Sequence, residues 1–208
     1  MRLITRTIFI GLGLALYGCE DSKAVEPSGN HPSSKSNARK SLQNKTALTV
    51  DAGPKLTPFT SGVFSQKDLA EFELDGVKYA SAEQYMMAMK AQMFKDNELL
   101  LVEIMTVSNG EALLELGRQV KNFDAEVWNA HADDIVYKGN YAKFNQNPAA
   151  KEELLKTVGT TLVFVNKSPI WGIGRDTMDP KKENWSGANK LGEILTRVRD
   201  DLIKAGSN

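Results

Sequence analysis

The stretch from Phe72 to Ala91 constrains the fold more than any other. Asp75-Gly76 separates two short alternating runs, Phe72-Glu-Leu74 and Val77-Lys-Tyr79. An Asp-Gly pair in that setting specifies a two-residue hairpin turn, because both turn positions need positive φ, which these residues accept at little cost. The hairpin leads straight into Ser81, a natural helix N-cap, and Gln84 three residues on completes a Ser-x-x-Gln capping box. The chain must therefore pair two strands and then begin a helix whose first turn is Ala82, Glu83 and Gln84. Ala82, Tyr85, Met86, Met89 and Met93 recur at helical spacing as a core face, while Glu83, Met87, Lys90 and Phe94 form a second stripe facing away from it. Glu83 is expected to be ionised, since a helix N-terminus favours an anion. Taken alone, the pair reads as a dipole-favoured acid and a solvated lysine.

The rest of the chain reads as a compact series of helices with one buried strand. Helices are predicted from Asn97 to about Val107, from a Ser108 or Asn109 cap to about Val120, and from an Asp124 cap to about Phe144. Another starts at Asn147-Pro148, since proline suits a first helical position. Thr160 to Val165 is β-branched and aromatic, as in a buried strand. Ser168 to Gly187, with two prolines, three glycines and two tryptophans, is a long loop of the kind that carries function. Ala188 to about Ala205 closes the domain as an amphipathic helix, with Leu191, Ile194, Leu195, Val198 and Leu202 inward. The fold class is α+β, mainly α-helical, with a small hairpin and a strand.

Composition narrows the partners. With 208 residues and 41% hydrophobic side chains the chain can bury one good core. Arg2 and Arg6, the apolar run Thr7 to Leu16, and Leu16-Tyr-Gly-Cys19 resemble a bacterial lipoprotein signal peptide with its lipobox. Residues 1–18 are read as that signal, Cys19 as the lipidation site, residues 19–58 as a disordered tether, and 59–205 as the folded domain. Membrane attachment through a lipid on Cys19 follows, facing the periplasm or cell surface. Glu20 after the cysteine favours the outer membrane, by resemblance to the sorting rule of Gram-negative lipoproteins. A single cysteine permits no internal disulfide. Without Arg2 and Arg6 the balance is 24 basic against 26 acidic residues, with no basic block to track phosphates, so no duplex nucleic acid is expected as partner. His31 and His131 lack a tight ligand set, so neither metal nor cofactor is expected.

Several segments also read together: Asp75 to Lys90, Gly117-Arg118, Phe123-Asp124 with Trp128, Lys143-Phe144, Trp171-Gly-Ile-Gly174, and Trp185 to Gly192 followed by Val198-Arg199. In this order and spacing they resemble the NADAR family of YbiA-like N-glycosidases. That resemblance implies hydrolysis of N-glycosidic bonds on ribosylated, phosphate-bearing compounds or ADP-ribosyl adducts. It carries Glu83 over as the catalytic acid and Lys143 as a catalytic or phosphate-contacting base. Trp128 and Trp171 become pocket walls, and Lys90 and Asn189 also match. Gly172 and Gly174 join the substrate-binding candidates because glycine lets backbone approach a ligand; they do not make a dinucleotide fingerprint. By residue chemistry alone Trp128 reads as core and Lys143 as a solvated helix end.

The chemistry suits these residue types. Breaking a ribose-to-nitrogen bond passes through an oxocarbenium-like state that a nearby carboxylate can stabilise. The lysine could neutralise a phosphate or trap an opened sugar as a Schiff base. Two positions depart from the family pattern. Phe64-Ser-Gln-Lys-Asp68 lacks the asparagine of the family's Ser-Asn-Phe segment, and Ile173 stands where some members carry aspartate. With the export signal, these departures keep two other functions open: a non-catalytic lipoprotein that binds ADP-ribose or a nucleotide, and an exported effector that consumes NAD.

Overall fold

The computed structural model describes residues 55–207. The expected signal peptide, Cys19 and most of the tether lie outside them. Among the described residues no helix is long and apolar enough to cross a membrane.

The hairpin forms as its sequence requires. Strands β2 (Phe72–Leu74) and β3 (Val77–Tyr79) pair antiparallel across Asp75 and Gly76, both at positive φ. Helix α1 (Ala82–Met93) starts at Ser81, whose hydroxyl accepts a hydrogen bond from the Gln84 N–H at 3.1 Å. The return bond goes to the neighbouring backbone group, Ala80 N–H to Gln84 Oε1 at 2.7 Å. Gln84 Nε2 also donates to the Val107 carbonyl, which ties the start of α1 to the end of α2 (Glu98–Thr106).

Helices α3 (Gly110–Arg118), α4 (Ala125–Gln146) and α5 (Pro148–Leu155) follow, and α6 (Lys190–Gly206) closes the chain. α3 and α4 are capped by Asn109 and Asp124 side chains that accept from first-turn N–H groups. α4 runs two residues past the predicted end, where the Gln146 amide exchanges two hydrogen bonds with the Glu73 backbone. α3 stops two residues early, because Asn97 binds both the N–H and the carbonyl of Lys121 and draws the chain out of the helix.

Two expectations need correction. A strand β1 (Leu56–Phe59) pairs in parallel with β4 (Thr161–Phe164), so the ordered domain starts ahead of the boundary drawn at residue 59. Leu56, Thr57 and Pro58 look like tether by composition and become a strand only beside a partner about a hundred residues later. Helix α1, moreover, has no solvent-facing stripe in its first turns. It packs against α2, α3 and α4, and every residue from Ala82 to Ala88 is buried, including Glu83 and Met87. Met89 and Met93, on the expected core face, are partly buried and pack against the core, and Lys90 is partly exposed beside them. A helical stripe read from sequence assumes one covered side, and the first two turns of this helix are enclosed.

Candidate active site

The first turn of α1 opens on a cleft of ≈ 400 Å³. Glu83, Lys90, Trp128 and Trp171 all line it, so four of the expected site residues converge from α1, α4 and the loop after β4. Trp128 is both core and wall, at 9% exposure.

Glu83 is 3% exposed and its Oε1 is buried without a hydrogen-bond partner. Burial pushes its pKa up to about 7; the nearby Lys67 cation opposes this and Glu111 reinforces it. Lys67 is itself paired with Glu111, which blunts its pull. The expectation of a fully ionised Glu83 therefore fails. A helix N-terminus contributes only about 0.3–1 kcal/mol, and loss of water around a carboxylate outweighs it here.

Of the cations lining the cleft, Lys67 and Arg118 are paired with Glu111 and Glu115, and Lys90 has no carboxylate partner among the described residues. Its Nζ donates to the Gly117 carbonyl at 2.7 Å and lies 4.3 Å from the Phe123 ring centroid and 5.9 Å from that of Trp128. Burial lowers its pKa with no carboxylate offsetting the shift. Such a cation is suited to an incoming anion.

Lys143 does not line the cleft, where its expected catalytic role would place it. It is fully buried, and its Nζ donates to the carbonyls of Val63 at 2.9 Å and Ser65 at 2.8 Å, with Asp68 at 3.9 Å. Desolvation brings its pKa down to about 8, leaving it mainly charged at neutral pH. Its work is to hold the 63–66 segment over α1. Gln66, at the end of that segment, accepts from the Glu83 N–H at 2.9 Å through its carbonyl and from Asn140 Nδ2 through Oε1. Lys143 thereby positions Glu83 from behind.

Asn189 is also structural. At φ 52°, a conformation asparagine tolerates, its Oδ1 accepts from the Phe164 N–H at 2.8 Å and its Nδ2 donates to the Leu162 carbonyl at 3.0 Å. The side chain supplies a strand-like rung to the edge of β4. Gly172 and Gly174, expected to approach a substrate, pack closely against neighbouring backbone. A Cβ on Gly172 would lie 2.6 Å from the Asn166 carbonyl oxygen, and one on Gly174 would lie 2.8 Å from Gly187 N. Ile173 is fully buried with Val163 and Val165, so that departure from the family pattern does not open on the cleft.

The other departure does. Gln66 lines the cleft, as do Lys67, Asn166, Ser168 and Arg118, none of which had been assigned a site role. Their signal was weak. Gln66 and Lys67 stood in the departing segment, Arg118 in a matching one, and Ser168 at the start of the long loop. Among the described residues no group of three or more His, Cys, Asp or Glu side chains is placed to hold a metal ion.

A mainly helical α+β domain whose cleft joins a buried unpaired carboxylate, two tryptophans and an unpaired lysine belongs to the class of small-molecule enzymes. The NADAR domain matches residues 51–203, and the chain belongs to the NADAR family. It is 41% identical over 128 residues to N-glycosidase R617 of Acanthamoeba polyphaga mimivirus, covering 60% of this chain and 75% of that one. Identity to Protein irg-1 of Caenorhabditis elegans is 33% over 132 residues, 61% of this chain and 62% of the relative. The NMR structure of the Escherichia coli protein YbiA superposes with a TM-score of 0.62 at 25% identity, covering 74% of this chain and 89% of that one.

Proposed function

We propose that the chain hydrolyses the N-glycosidic bond of a ribosylated, phosphate-bearing compound or ADP-ribosyl adduct, with Glu83 as the catalytic carboxylate. It is a hydrolase of N-glycosyl bonds, in keeping with relatives named N-glycosidase. The observation that carries the site assignment is the orphaned, buried Oε1 of Glu83 in the wall of the cleft.

A desolvated carboxylate without a counter-ion is costly in the resting protein. A ribosyl ring placed against it gains positive charge at the anomeric carbon as the bond to nitrogen stretches, and that charge is the partner the carboxylate lacks. The bonding electrons leave with the nitrogen. Water adds its oxygen to the anomeric carbon, Glu83 accepts the proton that water gives up, and the departing nitrogen takes a proton in turn. With a pKa near 7, Glu83 exchanges a proton readily in both directions at neutral pH. Trp128 and Trp171 wall the ring systems, and Lys90 takes the anionic group. The buried, carbonyl-bound Lys143 favours neither phosphate contact nor a Schiff base.

The membrane anchor is part of the same proposal. The basic and apolar leader ending at Cys19 supports a lipid-held enzyme facing the periplasm or cell surface. Turnover of ribosylated candidates by Glu83→Gln tests the catalytic reading. The rate should fall by about 10²–10³, as for loss of a transition-state electrostatic partner, and undiminished turnover would exclude Glu83.

A further inference from the structure

The cations around the cleft differ in what holds them. Lys90 rests on the Gly117 carbonyl and the Phe123 ring, Arg118 on Glu115, and Lys143 on the carbonyls behind the 63–66 segment. Lys67 is held by its stem and by one exposed carboxylate. The stem lies so close over the first residue of α3 that a Cβ on Gly110 would come within 2.6 Å of Lys67 Cγ. The ammonium donates to Glu111 Oε1, and the two side chains are 37% and 79% exposed. Lys67 stands in the segment that departs from the family pattern, directly after Gln66, whose carbonyl takes the Glu83 N–H at 2.9 Å. Lys67 and Glu83 both line the cleft, whereas β3, α2 and α4 bring no charged side chain to it. Asp68, the acid next to Lys67, lies 3.9 Å from Lys143 instead.

We propose that Lys67 is a positioning residue for the reaction at Glu83: its ammonium gives the cleft wall the positive charge that helps this buried carboxylate ionise, and Glu111 limits how much of that charge is felt. The proposal rests on the reading of Glu83 as the catalytic carboxylate. Glu83 Oε1 has no hydrogen-bond partner among the described residues, so its negative charge depends on cations acting through the cleft. Lys67 opposes the effect of burial on Glu83, and Glu111 adds to it. An ion pair as exposed as Lys67–Glu111 adds little to folding stability. What sets it apart is where its two charges lie. Accepting a proton from water requires ionised Glu83, so Lys67 favours the reactive form and Glu111 disfavours it. The two ends of one ion pair therefore act on the reaction with opposite sign, which no bracing role produces.

Carboxyl NMR of Glu83 against pH in the full-length chain tests this, with Lys67→Met and Glu111→Gln as variants. Both changes keep the side-chain volume, and circular dichroism checks that both are folded. The Glu83 midpoint should move up in Lys67→Met and down in Glu111→Gln, each by roughly half a unit. That is less than the 1–3 units of a close charge pair, because solvent and salt screen these exposed groups. Lys67→Arg, which keeps the charge, should stay near the wild type. The acid limb of kcat/KM for base release from NAD or an ADP-ribosyl nucleobase should follow the midpoint in each variant. Midpoints that stay fixed, or move the same way in both variants, would overturn the proposal. So would an acid limb that stays fixed while Glu83→Gln abolishes turnover. Failure of the catalytic reading looks different: Glu83→Gln would retain turnover while the Glu83 midpoint still moved in opposite directions in the two variants.

Discussion

The Nζ of Lys143 donates a hydrogen bond to the carbonyl oxygen of Ser65 across 2.8 Å, joining the end of α4 to a segment almost eighty residues earlier. A second bond to the Val63 carbonyl makes the ammonium group the clamp of that segment, whose next residue, Gln66, receives the Glu83 N–H. The lysine is buried because its charge has backbone partners.

Replacing Lys143 with methionine removes that clamp while keeping the volume. It should cost about 2–4 kcal/mol of stability, read by denaturant unfolding, since buried carbonyls lose their donor. Activity should fall as well, because Glu83 is displaced. Borohydride reduction during turnover should leave no sugar on Lys143, and an adduct there would restore the Schiff-base reading.

Glu83 should make stability pH-dependent in a defined direction. Its pKa is about 7 in the fold against 4.5 for a free carboxyl group, so the folded state binds the proton more tightly than the unfolded chain. Stability attributable to this residue is then lost as pH rises from 4.5 through about 7 and levels off above. Glu83→Gln lacks that slope. The stability difference between variant and wild type should shift in the variant's favour by on the order of 3 kcal/mol over this range. A parallel pair of stability curves would mean that Glu83 titrates in the fold as it does in the unfolded chain.

Asn189→Ala deletes the amide that binds both Leu162 and Phe164. It strands a partly buried N–H and a buried carbonyl, and thermal unfolding should report a loss of about 1–3 kcal/mol. Ligand affinity should change only as far as Phe164, a cleft residue, shifts. A stable variant with abolished binding would return Asn189 to direct substrate contact.

Cys19→Ser tests the proposed anchor. Two or more acyl chains at one cysteine hold a protein firmly, at about 0.8 kcal/mol per buried methylene. The wild-type chain should partition with membranes and take up labelled fatty acid, and the variant should accumulate as an unlabelled precursor. Cleavage after Gly18 with continued labelling would instead point to an ordinary secretory leader and another lipid site.

By itself the sequence determined the local architecture. The Asp75-Gly76 turn, the Ser81 cap, the Asn109 and Asp124 caps and the apolar face of α6 are decided by neighbours a few residues apart, and these are legible in a linear chain. The ordered motifs also carried the family and placed Glu83, Lys90, Trp128 and Trp171 in one cleft. Only the tertiary structure decided what each polar group is for. Glu83 became a neutral-range acid because α2, α3 and α4 close over α1, and Lys143 and Asn189 became struts because distant carbonyls meet them. Strand β1 exists because β4 lies beside it. Burial and long-range hydrogen bonding depend on partners far away in sequence, and the same lysine or glutamate is solvated, structural or reactive according to whether water can reach it.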